Sequence, residues 1–254
     1  MDTYDTLRSG LPNAIRVAKD YLEPNGYRLA GVRIDSGDMA YLSKKIRKSL
    51  DDAGMQDTGI VVSNSLDEYL IQSLIQQGAK INSMGVGENL VCSKSAPVFG
   101  GVYKMSSVFE GDVMIPKIKV SENIEKVTNP GYKNLYRIYD LESDKAIADL
   151  MTLHDEVIDA TQDLTIYHQM NSWKNKTLKA GTYAIKDILI PIFVEGKLVY
   201  DVPDLEQIRT YSKKEFSRLW DEVLRFEFPQ LYYVDVSKKL LDLKLSMLED
   251  VKHV

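Results

Sequence analysis

Acid, hydroxyl and glycine residues cluster at several points in this chain in a way that could do chemistry. The clearest cluster is Val32-Arg-Ile-Asp-Ser-Gly-Asp38. An apolar run, Leu29-Ala-Gly-Val-Arg-Ile34, ends abruptly in Asp35, Ser36, Gly37 and Asp38, and helix-forming sequence follows at once. A carboxylate accepts hydrogen bonds from two neighbouring hydroxyls, so Asp35 suits a sugar diol. Ser36 or Asp38 could instead cap the helix that starts near Met39. Arg33 interrupts an apolar strand and reads as buried. It would then need an anionic partner, either a structural carboxylate or a substrate phosphate. Gly85-Val-Gly87 follows a second apolar segment and could cradle a phosphate with backbone amides. A plain tight turn uses the same residues. Ser63-Asn-Ser65 adds hydroxyl and amide donors, or caps the next helix. Asp2 and Asp5 resemble paired carboxylates for a divalent cation or a developing positive charge. The plainer reading is a solvated terminus.

Other chemistries find no support. His154, His168 and His253 are not spaced as metal ligands, and with the lone Cys92 they make no zinc set. There is no phosphate-binding P-loop and no Gly-x-Ser-x-Gly elbow. His168 reads as a surface residue, and the lysine-rich stretch from Trp173 to Lys179 as a solvated loop rather than an anion site. The formal charge is −5 and the pI about 5.4, which argues against a nucleic-acid partner. A phosphorylated substrate stays compatible, because local fields need not follow net charge. One cysteine excludes an internal disulfide framework and suits a reducing cytoplasm. No apolar run approaches the roughly 20 residues that span a bilayer, and the first residues carry no basic or apolar signal. No membrane partner is expected.

The elements that must position these residues alternate in the first part of the chain. Periodicity predicts a helix over residues 11–22, a strand over 28–34 and a helix over 39–53. A strand at 60–62, a helix over 67–77 and a strand at 81–84 follow. Parallel strands joined by crossovers place their polar carboxyl ends along one rim. Chemistry in such folds sits there, whether the sheet is open or closed into a barrel. The pattern changes around Pro97. Strands are expected at 100–105, 117–120, 135–139, 146–153, 188–194 and 197–200. Helices are expected over 213–226 and from 235 or 237 to about 250. Residues 1–105 and 106–254 therefore read as two domains.

Taken together, Asp2-Thr-Tyr-Asp-Thr6, Gly31-Val-Arg-Ile-Asp-Ser-Gly-Asp38, Val62-Ser-Asn-Ser-Leu-Asp67 and Met84-Gly-Val-Gly87 resemble successive motifs of the nicotinate phosphoribosyltransferase family. Pro97-Val-Phe-Gly-Gly-Val-Tyr-Lys104 and Leu231-Tyr-Tyr-Val-Asp-Val-Ser237 resemble that family's later sequence. The resemblance implies an α/β fold: an incomplete TIM-like barrel of phosphoribosyltransferase type II, flanked by a β-rich, then α-helical, C-terminal region. It implies an enzyme that joins nicotinate to phosphoribosyl pyrophosphate with ATP as co-substrate and Mg²⁺ as cofactor, in NAD salvage. Asp35 and Asp2 would be catalytic, with Asp2 beside the pyrophosphate and its Mg²⁺. Arg33, Ser36, Gly37, Ser63, Asn64, Gly85 and Gly87 would bind substrate, Gly87 through its backbone. Glu88 stands where many relatives are expected to have threonine, and it receives no role. Relatives carry earlier barrel strands, nicotinate-binding residues and a phosphorylated histidine that this chain lacks. It looks like a C-terminal portion, inactive alone, that forms a homodimer or pairs with a complementing N-terminal fragment. The alternatives are a nicotinamide- or quinolinate-type transferase, or a non-catalytic phosphoribosyl-binding subunit.

Overall fold

The computed structural model describes residues 1–98, 100–123 and 126–252. Phe99, within one of the family-like motifs, and His253 lie outside the described residues. The chain forms two compact units, Met1–Gly101 and Val102–Val254.

The first unit opens on a helical stretch longer than the periodicity suggested. Its α-helical part, α1 (Leu11–Val17), is flanked by wider π-helical turns at Thr6–Gly10 and Ala18–Leu22, and a 3₁₀ turn at Glu23–Asn25 follows. The Asp5 carboxylate accepts from the amides of Leu7 and Arg8 at 2.9 and 2.7 Å and so starts the helix. Gly26, at φ +78°, ends it. Strand β1 (Gly31–Ile34) then leads through a turn to α2 (Met39–Asp52), β2 (Gly59–Val62), α3 (Glu68–Gln76), β3 (Ser83–Met84) and the single turn α4 (Glu88–Val91). The three strands lie parallel in the order β1-β2-β3, with Ile34 opposite Val62 and Val62 opposite Met84. Val32, Ile34, Ile60 and Val62 are buried under Ile46 and Leu50 of α2 and Leu74 of α3.

Arg33 corrects the sequence reading. In β1 the side chains alternate, so Val32 and Ile34 enter the core while Arg33 is exposed, its side chain 63% accessible. A four-residue strand is too short for an apolar run to reveal which face is covered. The final parallel strand is also shorter than expected, two residues rather than four.

The second unit begins with a hairpin of β4 (Ser107–Glu110) and β5 (Val113–Pro116). The strands expected at 100–105 and 117–120 are irregular in the structure, and the paired segments lie between them. Strands β6 (Lys133–Asp140), β7 (Ala146–Leu153), β8 (Leu164–Tyr167), β9 (Asn175–Leu178), β10 (Tyr183–Asp187) and β13 (Val234–Val236) form a six-stranded sheet. Its order is β10-β6-β7-β13-β8-β9, with β13 parallel to β7 and antiparallel to β8. A small hairpin joins β11 (Phe193–Val194) to β12 (Lys197–Leu198) around Glu195-Gly196, as expected, but its strands are two residues each and residues 188–192 are irregular. Helix α5 spans Leu205–Ser217, and α6 spans Lys238–Lys252. Leu240 and Leu241 of α6 pack with Leu153 and Val236 of the sheet.

A polar network ties α5 to this sheet. Arg137 donates to both oxygens of Asp149, at 2.8 and 3.1 Å, and to Glu215 at 3.3 Å. Tyr232 donates to Asp149 at 2.8 Å and Tyr139 to Glu215 at 2.9 Å. Burial raises the Tyr232 pKa, so its hydroxyl stays a donor.

Candidate functional site

The carboxyl ends of β1 and β2 carry a hydrogen-bonded cluster. One oxygen of Asp2 accepts from the Asp35 amide at 3.0 Å and from the Ser36 hydroxyl at 2.8 Å. Its other oxygen faces the Met1 ammonium at 3.3 Å. Ser63 donates its hydroxyl to Asp35 at 2.7 Å, which ties the end of β2 to the end of β1. Arg33 reaches the second Asp35 oxygen at 3.4 Å across an exposed pair. The ladder continues past the strands, because Ser63 donates its amide to Ile34 and Gly85 its amide to Val62, at 3.0 and 2.8 Å. The three strand ends are thus held in register.

The other residues divide by role. Gly37, at φ +80°, turns the chain into α2, and a side chain there would lie 3.1 Å from Leu42 Cδ1. Asp38 caps α2 through the Tyr41 amide at 2.9 Å. Of the two terminal carboxylates, Asp5 caps the first helix while Asp2 joins the strand-end cluster. Asn64 and Ser65 sit at φ +95° and +49°, a region costly for non-glycine residues. Ser63, Asn64, Gly85 and Gly87 line one cavity of about 280 Å³, together with Ser65, Leu66, Glu88, Asn89 and Lys94. Asn89 fixes its floor by donating to the carbonyls of Ser65 and Leu66 at 3.2 and 3.0 Å. Lys94 was not foreseen. It places an ammonium in the cavity 3.6 Å from the Glu88 carboxylate. Its only sequence signal is a lone cation just beyond the glycine turn.

The Ser36 hydroxyl, with the Asp35 amide and nearby donors, holds the Asp2 carboxyl at about 2, below the ordinary 3.8. A depressed folded value means stability that is complete above the unfolded value and is lost as pH falls through the folded one. Asp2→Asn should therefore lower stability at neutral pH and flatten its dependence between 3.8 and about 2. Acid titration followed by circular dichroism checks this. Parallel curves for the two proteins would remove Asp2 from the linkage.

Among the described residues no group of three or more His, Cys, Asp and Glu side chains is placed to hold a metal by itself. None of the described helices is long and apolar enough to cross a membrane.

These features define an α/β protein with converging carboxylate, hydroxyl and glycine groups at the carboxyl ends of a parallel sheet. Residues 132–244 match the nicotinate phosphoribosyltransferase C-terminal domain. The chain is 41% identical over 252 residues to a nicotinate phosphoribosyltransferase of Bacillus subtilis (strain 168), covering 99% of itself and 51% of that protein. It is 33% identical over 254 residues to the one of Homo sapiens, covering 97% of itself and 46% of that protein. The crystal structure of human nicotinic acid phosphoribosyltransferase superposes with a TM-score of 0.73 at 27% identity, over 97% of this chain and 45% of that one. The crystal structure of a nicotinate-nucleotide pyrophosphorylase from Pyrococcus furiosus, at TM-score 0.52 and 18% identity, shares the fold. The chain belongs to the nicotinate phosphoribosyltransferase family, of which it represents a C-terminal portion. It spans about half the length of the curated relatives it matches.

Proposed function

We propose that this chain supplies the phosphoribosyl-binding half of a nicotinate phosphoribosyltransferase and is inactive alone. The convergence of Asp2, Arg33, Asp35, Ser36 and Ser63 at adjoining strand ends carries the reading. Its parallel strands would form part of a TIM-like barrel of phosphoribosyltransferase type II, completed by an N-terminal half or by a second copy. Asp35 would accept the ribose hydroxyls. Ser63, Asn64, Gly85 and Gly87 would line the 5-phosphate pocket, with Lys94 balancing phosphate charge. Arg33, exposed and held only by its 3.4 Å contact with Asp35, would turn to meet a second phosphate group.

Loss of pyrophosphate leaves a ribosyl cation with oxocarbenium character, which the nearby carboxylates of Asp35 and Asp2 would stabilise. The donor set also fits Mg²⁺, which is usually held by one or two carboxylates plus substrate phosphates and water. Asp2 and Asp35 would hold it, and it would neutralise charge on the leaving pyrophosphate. Nicotinate and ATP would be handled on the portion of the relatives that this chain does not span.

Calorimetric titration of the chain with phosphoribosyl pyrophosphate tests the reading. Saturable, Mg²⁺-dependent binding without conversion of nicotinate and ATP is expected. Turnover should appear when the N-terminal half of a relative is added. Absence of binding would remove the phosphoribosyl assignment, and turnover by the chain alone would overturn its inactivity.

A further inference from the structure

The Leu231–Ser237 motif, left without a role by the strand-end site, delivers Asp235 into a pocket of about 200 Å³ in the second unit. Asp235 lies in the middle of β13 and is only 8% exposed. Its carboxylate receives no hydrogen bond from the described residues, yet it lines an open cavity. Its oxygens are therefore open to the cavity rather than sealed in the core, and are left to accept from a donor that enters there. Ile147, Ala148 and Ile166 form an apolar floor. The Tyr233 ring stands beside them, with the Lys174 ammonium 4.7 Å from its centre. Lys176 lines the same pocket. His168, which also lines the pocket, is half-buried rather than a surface residue, and its Nδ1 accepts from the Met170 amide at 3.2 Å. The lysine-rich stretch is likewise no simple loop, since residues 175–178 form β9.

Two lysines against one carboxylate leave a net positive charge at the pocket. An occupant should therefore be an anion overall, yet present a donor to Asp235. The apolar floor and tyrosine ring suit a flat ring. The volume suits a single ring, being below the several hundred cubic ångströms typical of larger ligand sites. We propose that this pocket binds a small aromatic anion bearing an N–H or O–H donor, which Asp235 receives while Lys174 and Lys176 hold the anionic group. Burial pushes the Asp235 carboxyl up, against the nearby charges of His168 and Lys174, in keeping with a carboxyl that gains from a donor.

The test uses the full chain and three probes: 4-aminobenzoate, which has both groups; benzoate, which lacks the donor; and aniline, which lacks the charge. The His168 ring signal is followed by NMR, with affinities from calorimetry. Saturable binding of 4-aminobenzoate is expected, with each other probe weaker by about tenfold or more. Asp235→Val should erase the preference for 4-aminobenzoate over benzoate, and the double change Lys174→Met, Lys176→Met the preference over aniline. Equal affinities for the three probes, or no saturable shift with 4-aminobenzoate, would overturn the proposal. The probe comparison on the unaltered protein stands even where a variant fails to fold.

Discussion

Replacing Asp149 with alanine should destabilise the second unit by about 3 kcal/mol, the lower end of the cost of breaking a buried ion pair. The side chains of Arg137 and Asp149 are 23% and 10% accessible, so solvent relieves part of the penalty. The variant removes the two Asp149 oxygens that accept from the Arg137 guanidinium and the acceptor of the Tyr232 hydroxyl. Glu215 remains as a single, longer contact. Asp149→Asn keeps an acceptor for Tyr232 and should cost less. Both tryptophans, Trp173 and Trp220, lie in the second unit, so their fluorescence in a urea titration reads its unfolding separately from the first. An Asp149→Ala loss below about 1 kcal/mol would place the network among weak surface pairs.

The second large effect concerns Asp35. Asp35→Ala should weaken phosphoribosyl pyrophosphate binding by about ten- to hundredfold, the worth of hydrogen bonds to a charged group, about 1.5–3 kcal/mol. The variant deletes the acceptor proposed for the ribose and also releases Ser63, which donates to Asp35 at 2.7 Å. Ser63→Ala separates these effects, because it leaves the carboxylate in place and should cost less. Titration calorimetry at fixed Mg²⁺ checks both, and unchanged affinity in Asp35→Ala would take that residue out of the site.

Elements were legible in the sequence where local signals agreed. Helix α2 combines a capping Asp38 with Met39, Ile46 and Leu50 on one buried face, so its bounds were read to within a residue. Residues 213–226 misled, because Phe216, Leu219, Trp220, Val223 and Leu224 imitate an apolar helical face. The helix actually runs from Leu205 to Ser217, started by a capping box between Asp204 and Gln207. Strands β8, β9, β10 and β13 were missed, being only three to five residues long, and β10 and β13 become strands only by pairing with β6, β7 and β8, far earlier in sequence. The grouping of Asp35, Ser36 and Ser63 was legible because parallel strands must present their carboxyl ends together. The exposure of Arg33 was not, since it depends on which face of the sheet the helices cover. Lys94 and Asp235 escaped for the same reason: their surroundings come from residues far away in sequence.

The placement of β13 fixes an order of events during folding. In the six-stranded sheet it lies between β7 and β8 and pairs with both. Until residues 234–236 arrive, β10-β6-β7 and β8-β9 have no shared ladder, although both are made from earlier sequence. The first unit has no such delay, because each of its parallel strands pairs with its nearest neighbour in the chain. Contacts that close over long sequence separations are slow to form. On the ribosome the strand-end residues of the first unit can thus reach their final geometry while the second sheet is still in two pieces.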